Sequence, residues 1–355
     1  MNLKKVQPLI SICVPTYNRS ECLRGLFEVL LRVKKAHRDI VEVCVSNNCS
    51  TDDTANVIAE WRDLLDIKDI TQDENIGCMR NCVAVTSIST GRWVLMMGDD
   101  DSINTNNFTK LLEVLHTSAA NWVFCGVGDS FGNEYLLGDL IEGCLDKKAM
   151  QKEMIRVGLY RFGFVGMHIF PGKLRDIFAK LTVSQIESWP HIGLLMQQIS
   201  NEGNYLVTHA PIVNQAANGK ELFFQVGDWV KVNVCKIKIS AEAFKKKETD
   251  FNFHLRLMLR ELYSYRNFKE LTLWRILEPK SFYKESFSTY FKIYNLLKLF
   301  SILSVGHLVL LLALHLIPNP ILKAVLVLLN KHSILDIYAD IRNSSKSING
   351  VHRGL

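Results

Sequence analysis

The sequence predicts an α/β fold with a mostly parallel central sheet, followed by a helical basic C-terminal region and a hydrophobic tail. Three observations predict it. Short aliphatic runs alternate with amphipathic helical stretches over roughly the first hundred residues; a basic, aromatic stretch follows from Lys231 to Lys298; and Leu299–Ile317 is a run of 19 residues without Asp, Glu, Lys or Arg. Strands separated by helices need crossover connections, which are right-handed and build parallel pairing. At 355 residues and 48% hydrophobic, the chain can bury a substantial core.

In chain order, Leu9–Val14 is an apolar run closed by Pro15 and reads as a buried strand. Leu23, Leu26, Phe27, Leu30 and Leu31 recur at helical spacing. Val41–Val45 is a second strand, and a polar turn covers Ser46–Ser50. Thr51 or Asp52 can cap the next helix, whose apolar face carries Val57, Ile58 and Trp61. A weaker strand at Asp66–Thr71 leads through Asn75-Ile76-Gly77 into a helix from about Met79 to Ser87. Gly91 closes that helix, and the strand Trp93–Met97 follows. Beyond it the pattern loosens. Phe108–His116, Met150–Leu159 and Ile192–Ile199 read as helices, Trp122–Cys125 and Tyr205–Thr208 as strands, and Gly126–Gly143 as loop.

Charge is unevenly distributed. The net +6 arises between Lys231 and Lys298, where 15 Lys/Arg face 7 Asp/Glu, leaving the remainder of the chain at −2. Its aromatics stand beside the apolar tail, which points to a lipid surface and away from nucleic acid. As a helix, Leu299–Ile317 would extend roughly 28 Å, close to the ~30 Å hydrocarbon core of a bilayer. Pro318-Asn319-Pro320 ends the run, and Ile321–Leu329 is a second, shorter one. Lysines on both sides suit a hairpin dipping into the membrane as well as a single span, and a buried core hairpin is the alternative. Nine scattered cysteines without a Cys-x-x-Cys pair, after a polar Met1–Gln7, lead us to expect a reduced, cytoplasmic setting.

Four motifs carry the chemistry. The strand Trp93–Met97 runs into Gly98-Asp99-Asp100-Asp101. Adjacent carboxylates repel one another unless a cation neutralises them, and hard divalent ions such as Mg²⁺ or Mn²⁺ favour carboxylate oxygen. In open α/β sheets ligands sit at the carboxyl ends of strands, where this cluster falls; a solvated acidic turn is the alternative. The second motif is Val14-Pro15-Thr16-Tyr17-Asn18-Arg19, whose Tyr17 offers a flat stacking face. The third is Ser46-Asn47-Asn48-Cys49-Ser50-Thr51-Asp52, in which an amide can both donate and accept and Ser50–Asp52 also suit helix capping. In the fourth, Asn75-Ile76-Gly77-Cys78-Met79-Arg80-Asn81, Gly77 can take backbone angles closed to other residues. Arg80 offers a bidentate donor pair to a diphosphate, or a surface ion pair.

In this order the motifs resemble those of family 2 glycosyltransferases of the GT-A fold, closely over Leu9–Ile103 and faintly beyond. The Asn-Asn-x-Ser-Thr-Asp and Trp-Pro-His combinations are similar to bacterial O-antigen and capsule enzymes, including the abequosyltransferase-like group. The resemblance implies a GT-A nucleotide-sugar-binding domain over 1–228, with a nucleotide-binding part at 1–103 and an acceptor part at 104–228. A basic helical region (229–298), membrane-associating hydrophobic helices (299–332) and a polar tail (333–355) follow. It assigns donor contacts to Pro15, Thr16, Tyr17, Asn18, Asn47, Asn48, Asn75, Gly77, Arg80, Asp99 and Asp100. Asn47 stands where the family has Asp, which leaves the base open. Metal contacts fall to Asp99 and Asp101, with His191 as a candidate third; either Asp99-x-Asp101 or Gly98-Asp99-Asp100 fits the family's Asp-x-Asp.

The implied reaction moves a sugar from a nucleoside diphosphate sugar to an acceptor hydroxyl with inversion, assisted by Mg²⁺ or Mn²⁺. Its base would be Glu187, in Ser184–His191, with Asp176 and Asp139 as rivals; Trp189 would floor a sugar ring or pack in the core. The implied acceptor is a polyprenyl-diphosphate-linked glycan of O-antigen or capsule synthesis, met at the cytoplasmic face of the inner membrane. A nucleotidyltransferase would carry a Gly-rich, cationic loop where Pro15-Thr16-Tyr17-Asn18 stands. A non-catalytic membrane scaffold with a degenerate transferase domain is the other alternative, and the intact acidic cluster argues against it.

Overall fold

A computed structural model describes residues 7–128, 140–181 and 189–215, with isolated positions at 253–260, 318 and 321. Contacts divide the chain into two units; Met1–Ala217 with Glu242–Leu257 form the first, to which every element below belongs. The basic region and the hydrophobic tail expected from the sequence lie almost wholly outside the described residues. Among the described residues no helix is long and apolar enough to cross a membrane.

The first half is a β-α-β series. Strands β1 (Ile10–Thr16), β2 (Val41–Asn47), β3 (Ile67–Thr71) and β4 (Trp93–Met96) alternate with helices α1 (Ser20–Ala36), α2 (Thr54–Leu65) and α3 (Cys78–Ser87). All pairings among these strands are parallel, in the order β3-β2-β1-β4. The two-residue period of a strand puts Ile10, Ile12 and Val14 of β1 in one core with Leu23, Leu26, Phe27 and Leu30 of α1 and Val57 and Ile58 of α2. Helices α1 and α2 pack together while α3 packs with later helices, as right-handed crossovers in opposite directions require. Because β1 lies between β2 and β4, the chain reverses its direction of travel across the sheet there, opening a crevice at the strands' carboxyl ends.

Antiparallel pairing enters beyond β4. The remaining elements are β5 (Ser102–Ile103), α4 (Thr105–Thr117), β6 (Trp122–Gly128), β7 (Gly143–Asp146), α5 (Lys147–Val157), β8 (His168–Pro171), α6 (Arg175–Ala179), α7 (Pro190–Gln198) and β9 (Asn204–Asn214). Strand β8 sits antiparallel between β4 and β6; β9 runs parallel to β6 and accepts β5 and β7 at opposite ends of its other edge. The short strands β5, β7 and β8 have no independent signal in the sequence. Helix α4 starts three residues ahead of its apolar stripe because Asn104 caps it, accepting from the Asn107 amide at 3.1 Å. Asp146 does the same for α5 through Ala149 N–H at 2.8 Å, and Pro190 opens α7, where its missing N–H costs nothing.

Candidate active site

One polar seam lies at the mouth of the crevice between β1 and β4. Thr16, the last residue of β1, donates its hydroxyl to Asp99 Oδ2 at 2.7 Å, joining the carboxyl ends of β1 and β4. Arg19, at the cap of α1, reaches the same loop: its Nη1 lies 3.3 Å from Asp99 Oδ1 and 2.5 Å from Asp100 Oδ2. Asp101 turns inward, and its Oδ2 accepts the Gly98 amide at 3.0 Å. Gly98 is needed for that fold-back, since a Cβ there would lie 2.9 Å from carboxylate oxygens of Asp100 and Asp101. Asp99 and Asp101 are both only 6% exposed, whereas Asp100 is half-buried. The three aspartates are thus not equivalent: Asp99 and Asp100 converge on one cation, and Asp101 braces its own turn.

Burial pushes the Asp99 carboxyl up to about 6; the Thr16 hydroxyl and the Arg19 guanidinium oppose that rise, and the neighbouring Asp100 adds to it. Arg19 is held above its ordinary value, because the attraction of Asp99 and Asp100 outweighs the effect of its own burial. Among the described residues no group of three or more His, Cys, Asp or Glu side chains is gathered to hold a metal ion. Two converging carboxylates nonetheless fit Mg²⁺ or Mn²⁺, which bind through one or two carboxylates with substrate phosphates completing the shell.

The loops lining the crevice are tied to one another. Asn18 adopts a left-handed backbone (φ 51°), which Asn tolerates, and its Oδ1 accepts the Thr51 amide at 2.7 Å. Its own N–H donates to Ser50 Oγ at 2.9 Å. Asp52 accepts from Ser20 N–H and Thr54 N–H, each at 3.0 Å, so it serves the starts of α1 and α2 together and not α2 alone. Desolvation raises its carboxyl, but the Thr54 hydroxyl and the Ser20 and Thr54 amides together outweigh it and hold it below the ordinary range. The Asn47 Oδ1 accepts the Ser50 amide at 3.0 Å and shapes the β2–α2 turn. Asn48 donates to Asn75 Oδ1 at 2.8 Å and accepts the Ile76 amide at 2.9 Å. Asn75 also accepts Gly77 N–H at 2.9 Å, while Gly77 takes φ 84° and ψ 150° to start α3.

Two residues outside the sequence-based set join the site. One is Arg19, the last residue of the Val14–Arg19 run; its position one step past Asn18 was the available signal. The other is Asn81. Buried on α3, it accepts from Ser46 Oγ at 2.6 Å and donates to the Ser46 carbonyl at 2.9 Å and, more weakly, to the Thr16 carbonyl at 3.4 Å. Its neighbour Arg80 is exposed on α3, Tyr17 is 42% exposed beyond the end of β1, and Pro15 is half-buried within it.

The acceptor-side residues fall differently. Glu187 and Asp139 lie outside the described residues, and Asp176 is in the first turn of α6. Trp189 is buried and lies flat on Gly163, where a Cβ would come within 2.3 Å of the indole, so its surroundings are those of a core residue. His191, proposed from the sequence as a metal ligand, has a packing environment instead. Its ring centroid is 4.8 Å from that of His168 and 5.9 Å from that of Trp189, and its Nε2 bonds the Gly163 carbonyl at 3.2 Å. Burial lowers it to about 4 and holds His168 well below its ordinary value, so both rings are neutral near pH 7. His168 is fully partnered: Nε2 meets the Phe162 carbonyl at 2.7 Å and Nδ1 accepts Trp122 Nε1–H at 3.2 Å.

The polar seam and its loops lie within the segment 11–174, which matches the sequence model of glycosyl transferase family 2. Over those residues the chain is similar to that family. A stretch of 113 residues is 35% identical to the abequosyltransferase RfbV of Salmonella typhimurium, spanning 31% of this chain and 34% of that protein. Another of 67 residues is 40% identical to the validoxylamine A glucosyltransferase of Streptomyces hygroscopicus subsp. jinggangensis, covering 19% of this chain and 16% of that one. The chain therefore spans about a third or less of the curated relatives it matches. Among solved structures, TarS 1-349 of S. aureus in complex with UDP-GlcNAc superposes with a TM-score of 0.60 at 16% identity, over 81% of this chain and 80% of that one. The mannosyltransferase PcManGT from Pyrobaculum calidifontis, in complex with GDP-Man and Mn²⁺, reaches 0.50 at 14% identity, over 87% and 86%. These likenesses establish the α/β GT-A fold, as the sequence motifs implied.

Proposed function

We propose that this protein transfers a sugar from a nucleoside diphosphate sugar to an acceptor hydroxyl. The observation that carries the reading is the convergence of Thr16, Arg19, Asp99 and Asp100 at the mouth between β1 and β4. It lies where an open α/β sheet binds nucleotides. Tyr17 supplies an exposed ring on which the base stacks, and the Asn18, Asn47, Asn48 and Asn75 amides hold the surrounding loops in one shape. Arg80, exposed at the start of α3, reaches toward the diphosphate. A divalent ion held by Asp99 and Asp100 would supply Lewis-acid neutralisation of the leaving diphosphate; a relative in fold is in complex with GDP-Man and Mn²⁺. Glu187 takes the acceptor's proton, and direct displacement inverts the anomeric centre.

The acceptor in this reading is a polyprenyl-diphosphate-linked glycan of O-antigen or capsule synthesis, in keeping with the abequosyltransferase relative. The basic 231–298 stretch and the apolar run Leu299–Ile317 support a place at the cytoplasmic face of the cell membrane, since each Lys or Arg near an anionic surface contributes about 1 kcal/mol. A thermal-shift and hydrolysis screen of the full chain against nucleoside diphosphate sugars with Mn²⁺ tests the activity. One donor should raise the melting temperature and be turned over, and Asp99→Asn should abolish turnover with the fold retained. Indifference to every donor, or full turnover by Asp99→Asn, would overturn the reading.

A further inference from the structure

Arg19 binds the oxygens that a divalent ion would need. Asp99 Oδ2 is engaged by Thr16, and its Oδ1 together with Asp100 Oδ2 is where the guanidinium sits. Two cations cannot occupy one pair of carboxylate oxygens, because their mutual repulsion cancels what the second one gains. The backbone of Arg19 is anchored: its N–H donates to Thr54 Oγ1 at 3.3 Å and its carbonyl accepts the Leu23 amide at 3.0 Å. Its side chain is unbranched and 23% exposed, so the guanidinium can withdraw while α1 stays in place.

We propose that Arg19 is an exchangeable internal counter-ion, competing with the divalent cation for Asp99 and Asp100 and giving them up when the cation binds. This inference rests on the reading of those two aspartates given above. It assigns Arg19 a positioning role with two consequences. The paired carboxylates stay pre-formed and neutralised instead of repelling each other, and the ion alone binds weakly because it must expel a guanidinium. Once displaced, the guanidinium is a planar bidentate donor at the crevice mouth, suited to phosphate oxygens. A nucleoside diphosphate that engages it would therefore favour the ion as well, and by linkage the ion would favour the nucleotide to the same degree.

Mn²⁺ binding to the full chain without nucleotide, followed by calorimetry and by the loss of the free-ion paramagnetic resonance signal, tests this. Arg19→Gln should bind Mn²⁺ about tenfold more tightly than the natural protein, and Arg19→Lys, which keeps the charge, should stay near the natural value. Arg19→Met carries the same expectation as Arg19→Gln if the latter does not fold. Equal or weaker Mn²⁺ binding by Arg19→Gln overturns the counter-ion role while leaving sugar transfer standing. Absence of Mn²⁺ binding in every form, combined with indifference to nucleoside diphosphate sugars, removes both.

Discussion

The Thr16 hydroxyl and the Asp99 carboxylate, 83 positions apart in sequence, meet at 2.7 Å where β1 and β4 end. That bond makes the first strand a structural partner of the acidic loop, and it aims the remaining Asp99 oxygen at Arg19. Replacing Thr16 by Val keeps the shape and removes the donor. A hydrogen bond to a charged group contributes about 1.5–3 kcal/mol, so Thr16→Val should lower kcat/KM about ten- to a hundredfold, with Thr16→Ser restoring most of it. Steady-state kinetics with the donor found by screening checks this.

Gly77 begins α3 with φ 84° and ψ 150°, and a Cβ there would meet no atom within 4 Å. The cost of Gly77→Ala is therefore backbone strain and not a clash, about 1–3 kcal/mol. Chemical denaturation should register that loss. Because Gly77 leads into Arg80 and Asn81, nucleotide affinity should fall as well.

At the amino ends of the strands, far along β1 and β2 from the crevice, Glu42 is buried in a polar knot. It accepts from Ser11 Oγ at 2.5 Å and from the Thr90 amide and hydroxyl at 2.7 Å each, and it pairs with Lys68. Burial raises its carboxyl, but Lys68, Ser11 and Thr90 together outweigh burial and hold it at about 2. A depressed folded pKa stabilises fully above the ordinary glutamate value near 4.5 and is lost as pH falls toward 2. Glu42→Gln should cost on the order of 1–3 kcal/mol at pH 7 and much less at pH 3. Urea melts of both proteins at the two pH values give the comparison.

The His168–His191 pair works with the opposite charge chemistry but the same sign. Both imidazoles are buried neutral and depressed, so their contribution is complete above the ordinary histidine value near 6.5 and declines as pH drops toward 4. The melting temperature should fall over that window. His191→Leu, which loses the bond to the Gly163 carbonyl, should be less stable than the natural protein at pH 8, with the gap narrowing at pH 5. A constant gap would mean the ring does not titrate with unfolding.

Much of this organisation was legible in the linear order of residues. Aliphatic runs of strand length and stripes of helical spacing locate the parallel half, because period and side-chain volume are local properties. Four polar motifs at strand ends mark the crevice for the same reason: crossover connections bring successive carboxyl ends to one side of the sheet. The short strands β5, β7 and β8 escaped notice because their pairing is with distant segments, and two to four residues carry no period of their own. Glu42, in a strand whose other residues are mostly apolar, gave no hint of burial; that depends on Lys68 and Thr90 arriving from other elements.

By itself, then, the amino-acid sequence determined the α/β class, the motif-bearing loops and the family that residues 11–174 resemble. Tertiary structure alone decided which carboxylates act together. Asp99 and Asp100 share the Arg19 guanidinium while Asp101 closes its own turn on Gly98, and His191 packs against His168. Three consecutive aspartates are chemically identical on paper. They become different only when Thr16 and Arg19 approach from β1 and α1 and fix, oxygen by oxygen, the direction in which each negative charge is balanced.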